Sequence, residues 1–187
     1  MSARRFLILT VCLLGVAAPA RAQGFITPFV GYNYGGDSDD CAGFQACNSR
    51  RLNFGVSIGK TGGMFGVEED IGYASQFFGT TAGGNNAVLT AMSNLLLVIP
   101  AGPIQPYGLF GFGLVHAHAQ LDSSLISLNK NSLGYDIGGG VNIFFGKKVG
   151  IRGDIRRMKT FDSFTLGIFG NDQLNFWRAS AGVTIRY

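Results

Sequence analysis

The charged residues of this 187-residue chain occupy alternate positions in a few short segments. Glu68 and Asp70 stand two residues apart in one segment, and Arg152, Asp154 and Arg156 follow the same spacing in another. Residues two apart face the same side of a β-strand, so each segment would present its charges together. Away from bulk water such charges form hydrogen-bonded ion pairs, and we predict this structural role. Three more charged residues have equivalent positions in other segments: Asp136, Arg178 and Arg186.

Two histidines have the same two-residue spacing, which could support metal binding or catalysis instead of ion pairing. His116 and His118 could contribute to a metal site, but no third ligand is evident, so we interpret them as residues at a membrane interface or loop base. A deacylase would need a histidine, a serine and an acid near one rim, and Asp122, Ser123 and Ser124 follow closely in sequence. Nothing in the spacing fixes their geometry. We therefore predict no catalytic residue, no metal and no cofactor.

The two cysteines beyond the N-terminal region lie in the polar segment DSDDCAGFQACNSR. Cys41 and Cys47 would form a disulfide within a loop if the chain is exported to an oxidising compartment. Metal binding is the alternative, but two thiols and scattered aspartates lack the usual spacing of a tetrahedral zinc site.

The first 22 residues have the pattern of a cleaved signal peptide. Arg4 and Arg5 precede the apolar run 6–16, and Ala20 and Ala22 provide small residues before a cleavage site. The chain has 15 basic and 11 acidic residues, and three of the basic ones fall in this segment. The mature charge is then close to neutral and gives no argument for nucleic-acid binding. Residues 23–187 suit one domain.

Two-residue alternation of apolar and polar side chains recurs along the mature chain and predicts strands. In the last segment Trp177, Val183 and Tyr187 alternate with Arg178 and polar or small residues. Predicted connections alternate long and short, with the last long loop at 159–173. This is the pattern of an all-β, eight-stranded antiparallel up-and-down transmembrane β-barrel. We predict strands at 24–34, 50–60, 64–77, 87–99, 105–119, 132–146, 149–158 and 174–187.

The polar strand faces are predicted to point inward. They are rich in glycine and poor in lysine, whereas solvated surfaces carry about 25–35% charged residues. An eight-stranded interior is filled by side chains, so a conducting polar channel is the less favoured alternative. Strands three and seven would be opposed, so we predict that Glu68 and Arg152 pair across the interior. Glu69 falls on the apolar face, where it would lie near an interface, pair with a neighbour or mark a bulge.

Five segments have the strand patterns of a known family: TPFVGYNYGG, VEEDIGYASQFFG, QPYGLFGFGL, GIRGDIRR and FWRASAGVTIRY. The mature chain resembles the small bacterial outer-membrane β-barrel domain proteins of the OmpA/OmpW-like kind. The resemblance implies a barrel in the cell outer membrane, in contact with outer-membrane lipid and inserted by the barrel-assembly machinery. It also implies that Tyr187 is the closing aromatic residue used in assembly. It specifies no activity, and Glu69 departs from the apolar residue usual at that position.

These observations predict a non-enzymatic outer-membrane barrel with a structural or surface-interaction role. The polar segments 35–50 and 159–173 are the loops most able to contact partners, although loop length alone does not identify a partner. Two alternatives stay open. One is a narrow porin or a passage protein for small hydrophobic solutes, and the other is a barrel enzyme that acts on outer-membrane lipid.

Overall fold

The protein is a closed antiparallel β-barrel, as the sequence predicted. The structure, a computed structural model, describes residues 22–36, 51–75, 77, 86–120, 127–166 and 169–187. Each strand pairs with the next, and the last returns to the first. None of the described residues forms a helix long and apolar enough to cross a membrane. The strands are β1 (Gln23–Tyr34), β2 (Arg51–Gly62), β3 (Phe65–Ser75), β4 (Asn86–Val98), β5 (Ile104–Gln120), β6 (Ser127–Phe145), β7 (Val149–Leu166) and β8 (Phe169–Arg186).

The first and last strands close the barrel. Gly24 and Tyr187 exchange backbone hydrogen bonds of 3.2 and 3.0 Å. The Tyr187 ring also crosses the Gly24 backbone, since a Cβ added at Gly24 would lie 2.5 Å from its Cε2 atom. The start of β1 and Tyr187 therefore lie at one end of the barrel, together with the short connections at 63–64, 99–103 and 146–148. We call this the terminal end and the opposite one the loop end.

Two predicted loops are shorter than expected. The segment 159–173 is largely strand, because β7 continues to Leu166 and β8 begins at Phe169. Likewise β6 begins at Ser127, so only part of the predicted loop 120–131 connects β5 to β6. Both segments are polar, and their polarity was the reason for predicting loops. In the structure, backbone pairing with a neighbouring strand continues through much of each segment. Register shifts between Lys159 and Ser163 and between Phe164 and Leu166 interrupt the β7–β8 pairing there.

The outward face of the barrel is apolar and the inward face is mixed. Large apolar side chains exposed along the wall include Leu95, Phe112 and Ile137. Inward-facing positions bury polar and charged side chains, and Asp70, Asp136 and Arg156 are 0% exposed. The closed ladder pairs the backbone N–H and C=O groups of every strand with those of its neighbours. Such pairing is the condition for a sheet to be stable in the hydrocarbon of a membrane.

Two apolar layers lie above and below the buried charges. The loop-end layer contains a T-shaped contact of Phe77 with Phe176, whose ring centroids are 4.8 Å apart. The terminal-end layer includes Phe25, Leu96, Val98, Tyr107 and Leu109. The residue pattern predicted a polar interior, and this three-part arrangement was not expected. The loop-end layer comprises Ala74, Phe77, Val88, Met92, Val115, Ala117, Met158, Leu174 and Phe176.

Candidate functional site

The structure brings seven of the eight charged residues predicted for the interior into one ion-pair network, formed by Glu68, Asp70, Asp136, Arg152, Asp154, Arg156 and Arg178. The eighth, Arg186, instead donates a hydrogen bond to Gln105 Oε1. All seven side chains point into the barrel because they occupy inward-facing positions of β3, β6, β7 and β8. Arg156 is the central residue. Its guanidinium lies 2.7 Å from Asp154, 3.4 Å from Asp70, 3.4 Å from Asp136 and 3.6 Å from Glu68.

Glu68 on β3 and Arg152 on β7 meet across the interior. Nη1 of Arg152 donates to Glu68 Oε2, and Nη2 lies 3.3 Å from Oε1, so the contact is bidentate. Asn94 Nδ2 also donates to Glu68, at 3.3 Å. Two parallel hydrogen bonds between guanidinium and carboxylate are both strong and directional. The contact therefore fixes the relative position of two opposed walls.

Tyr107 is an interior partner that the sequence analysis missed. Its hydroxyl accepts from Arg152 Nε at 2.6 Å and donates to Asp154 Oδ2 at 3.0 Å. The Arg152 guanidinium carbon lies 4.5 Å from the centre of the Tyr107 ring, within cation–π range. The available signal was its position two residues before Leu109, because residues two apart on a strand share a face and Leu109 is buried in the interior. Tyr107 thus joins the network to the terminal-end layer.

Glycine leaves the space that the arginines occupy. A Cβ added at Gly72 would lie 2.6 Å from Arg178 Nη1 and 2.9 Å from Thr90 Oγ1. Those separations are too short for real contacts, so even alanine would force the buried guanidinium to move. Glycine at position 72 is therefore a requirement of the network.

The network contains one more acid than it has arginines. Glu68, Asp70, Asp136 and Asp154 face only Arg152, Arg156 and Arg178. Asp136 is the least satisfied of the four, because its Oδ1 has no hydrogen-bond partner among the described residues and its Oδ2 lies 3.4 Å from Arg156. Burying a charge without full hydrogen bonding is unfavourable, so Asp136 contributes least to the stability of the network.

Little empty space remains inside the barrel. A cavity of about 20 Å³ adjoins Phe25, Tyr107 and Arg152, and one of about 10 Å³ adjoins Asn53, Met158 and Arg178. Volumes of this size hold about one water molecule each. Between the two layers, side chains rather than solvent fill the described interior.

Glu69 lies on the outward face, where the sequence analysis left three explanations open. The structure supports pairing with a neighbour: Ser93, its direct partner on β4, donates to Glu69 Oε2 at 2.7 Å. The register of β3 with β2 and β4 is regular at this point, so no bulge is involved. The carboxylate is therefore hydrogen-bonded locally on the wall.

The remaining predicted residues are not brought into a site. His116 Nδ1 lies 2.5 Å from Asn131 Oδ1, a contact with the adjacent strand β6. No group of three or more histidine, cysteine or acidic residues that could hold a metal ion occurs within the ranges described above. Cys41 and Cys47 lie outside the described residues, as do Asp122, Ser123 and Ser124.

Two basic residues on the outer wall were also missed. Arg157 and Lys159 lie on the outward face of β7 near the loop end. Lys159 had been placed in a loop, because the predicted strand stopped at 158. The alternation of inward Met158 and Thr160 with outward Arg157 and Lys159 was the signal that could have revealed them.

Comparisons with known proteins agree with this architecture. The chain resembles Neisserial surface protein A with 13% sequence identity and a TM-score of 0.66, over 89% of this chain and 99% of that chain. It resembles the N-terminal β-barrel domain of Pseudomonas aeruginosa OprF with 12% identity and a TM-score of 0.55, over 89% of this chain and 97% of that chain. It also resembles Ail of Yersinia pestis with 15% identity and a TM-score of 0.54, over 89% of this chain and 97% of that chain. At these identities the likeness concerns the fold. The search of curated proteins found no match. A family model described as "Outer membrane protein beta-barrel domain" matches residues 8–186. The chain therefore belongs to the outer membrane protein β-barrel domain family.

Proposed function

We propose that the protein is a non-conducting, non-enzymatic barrel of the outer membrane, whose interior is a structural core and whose partners bind its outer wall and loops. The observation that carries this proposal is the position of Arg156. It contacts all four carboxylates of the ion-pair network, and apolar layers lie on both sides of it.

Opening a path through the interior would cost free energy. An ion or polar solute would have to displace the side chains of both apolar layers and separate buried ion pairs. Removing one partner of such a pair strands the other charge and costs about 3–5 kcal/mol. The narrow diameter of an eight-stranded barrel supports the same conclusion.

Planar-bilayer recording tests the proposal. The refolded protein is expected to give no conductance steps across a range of salts and small solutes, whereas a general porin measured in the same bilayers does. Reproducible, ion-selective steps that scale with the amount of protein would refute the sealed interior. Liposome swelling with uncharged solutes tests the narrow-porin and solute-passage alternatives in the same way.

The absence of enzymatic activity is tested separately. Cells with and without the protein are expected to have the same lipid A species by mass spectrometry. A new or missing acyl chain that depends on the protein would support the alternative of a lipid-modifying enzyme.

Export and insertion complete the proposal. Residues 1–22 are proposed to be a signal peptide that is removed, which leaves residues 23–187 as the barrel domain. Tyr187 is proposed to be the aromatic residue through which the barrel-assembly machinery recognises the closing strand. Cys41 and Cys47 are proposed to form a disulfide, which a mass difference of the mature protein before and after reduction and alkylation would reveal.

A further inference from the structure

The outer wall carries an aromatic girdle at each end. Near the loop end Tyr32, Tyr73 and Trp177 point outward, and near the terminal end Phe65 and Tyr187 do so. Trp177 on β8 and Tyr187, which directly follows β8, are separated by the length of about 9–11 residues that spans a bilayer as a tilted strand. Aromatic side chains concentrate at both membrane interfaces of such barrels. Trp177 therefore marks the height of one interface.

Connection length identifies which interface this is. In this class of barrel, short turns face the periplasm and longer loops face outward. The short connections 63–64 and 146–148 are at the terminal end, so the loop end faces outward. Trp177 accordingly lies at the level of the headgroups of the outer leaflet.

Arg157 and Lys159 lie at this same height. Arg157 pairs directly with Trp177 across the β7–β8 ladder, and Lys159 pairs with Asn175. The Arg157 guanidinium carbon lies 5.9 Å from the centre of the Trp177 ring, and Arg157 Nε donates to Asn175 Oδ1 at 2.9 Å. The tryptophan and the asparagine thus hold the arginine against the wall. On the other side of β7, Tyr135 pairs with Lys159.

These five residues, Tyr135, Arg157, Lys159, Asn175 and Trp177, form what we call the basic–aromatic patch. Its two cationic side chains are two positions apart on one strand face, about 7 Å along the strand, so both can reach one phosphate group. Among the outward-facing side chains that the structure describes, the one carboxylate is that of Glu69 on β3. No described carboxylate neutralises Arg157 or Lys159, and the charge of the patch is positive.

We propose that the basic–aromatic patch binds the phosphate of a phosphorylated glycolipid headgroup in the outer leaflet. Arg157 and Lys159 donate to the phosphate oxygens, Tyr135 and Trp177 set the depth of the headgroup, and Asn175 orients the guanidinium. Guanidinium groups bind phosphate in a bidentate manner, and their hydrogen bonds to anions are among the strong ones. The proposal depends on insertion in the outer membrane and is independent of whether the interior conducts.

Trp177 makes the site directly observable, because it is the single tryptophan of the chain. The refolded full-length mature protein in neutral detergent micelles would be titrated with bisphosphorylated lipid A, with its dephosphorylated form and with inorganic phosphate. We expect a saturable change in Trp177 emission and a higher unfolding temperature with the phosphorylated lipid alone. An equal response to dephosphorylated lipid A, or to inorganic phosphate at the same concentration, would overturn the proposal.

Variants locate the site. Arg157→Gln/Lys159→Gln is expected to weaken binding about tenfold or more, in line with the loss of charge-assisted contacts. The matched control Lys147→Gln/Lys148→Gln removes the same charge from the turn at the terminal end and is expected to bind as the wild type does. Lys159→Gln alone leaves the Arg157–Trp177 contact in place and should weaken binding by a smaller factor, which Lys159→Arg should restore. Equal affinities for the two double variants would contradict the assignment.

Discussion

Arg178 Nη2 lies 2.6 Å from Asp70 Oδ1, so a buried ion pair connects the closing strand β8 to β3 on another part of the wall. Arg156 Nη1 lies 3.4 Å from the other Asp70 oxygen, and Ser57 donates to that same oxygen at 2.8 Å. One carboxylate is therefore shared by residues of β2, β7 and β8. The contacts of Arg156 and Arg178 with Asp70 connect strands that are not neighbours in the ladder, which backbone hydrogen bonds cannot do.

Arg156 and Arg157 are adjacent in sequence but face opposite sides of the wall. Arg156→Ala is expected to lower the free energy of unfolding by about 3–5 kcal/mol, because it strands buried carboxylates. Arg157→Ala removes an exposed charge and should cost less than about 1 kcal/mol in micelles without phosphorylated lipid. Urea unfolding of the two variants, followed by heat-modifiable gel mobility and circular dichroism, measures the difference. Similar losses for both would contradict a stabilising role of the network.

Asp136 is expected to tolerate neutralisation better than Asp70 does. The network has four acids and three arginines, and Asp136 Oδ1 has no hydrogen-bond partner among the described residues. Asp136→Asn removes the excess charge and should change the unfolding free energy by less than about 1 kcal/mol. Asp70→Asn leaves Arg178 without its carboxylate and should cost about 3 kcal/mol or more. The reverse ranking in urea unfolding would show that Asp136 is the more important acid.

Ser93 is expected to stabilise the barrel, because its hydroxyl donates a hydrogen bond to the Glu69 carboxylate on the outward face. Ser93→Ala should destabilise the inserted barrel by about 1.5–3 kcal/mol, the range for hydrogen bonds to charged groups. The double variant Glu69→Leu/Ser93→Ala replaces both partners with apolar groups and should regain most of that loss. Unfolding in lipid vesicles measures both. A double variant less stable than Ser93→Ala would mean that Glu69 has another stabilising contact.

Gly72 and Gly153 form a matched pair, because Gly72 faces the interior whereas Gly153, between inward Arg152 and Asp154, faces outward. A Cβ at Gly72 would lie 2.6 Å from Arg178 Nη1, whereas one at Gly153 meets nothing within 4 Å. Gly72→Ala is therefore expected to cost about 1–3 kcal/mol through overpacking. Gly153→Ala should be neutral or slightly stabilising, since alanine restricts the unfolded chain. Equal unfolding free energies in the two variants would show that Arg178 has room to move.

Much of the barrel could be predicted from alternation alone. A strand has an exact two-residue period, so assigning Trp177 to the outward face also assigns Arg178 to the interior. The number of strands, the closed topology and the inward position of Glu68 and Arg152 follow from that pattern together with the exclusion of unpaired backbone from hydrocarbon. The part of β7 beyond Met158 and the start of β8 were not predicted, because polar residues lie on both faces there, with Lys159 outward and Thr160 inward, so the alternation that remains is weak.

The sequence predicted that Glu68 pairs with Arg152, and the structure confirms it, but the other interior partners were decided only by the tertiary structure. Alternation assigns a side chain to a face but gives neither its height nor its reach, and a guanidinium can contact several carboxylates around a narrow interior. That Arg156 contacts four acids, that Tyr107 joins them and that apolar layers lie on both sides depend on strand register. Likewise Arg157 and Trp177 are adjacent because β7 and β8 pair in one particular register, which the sequence does not specify.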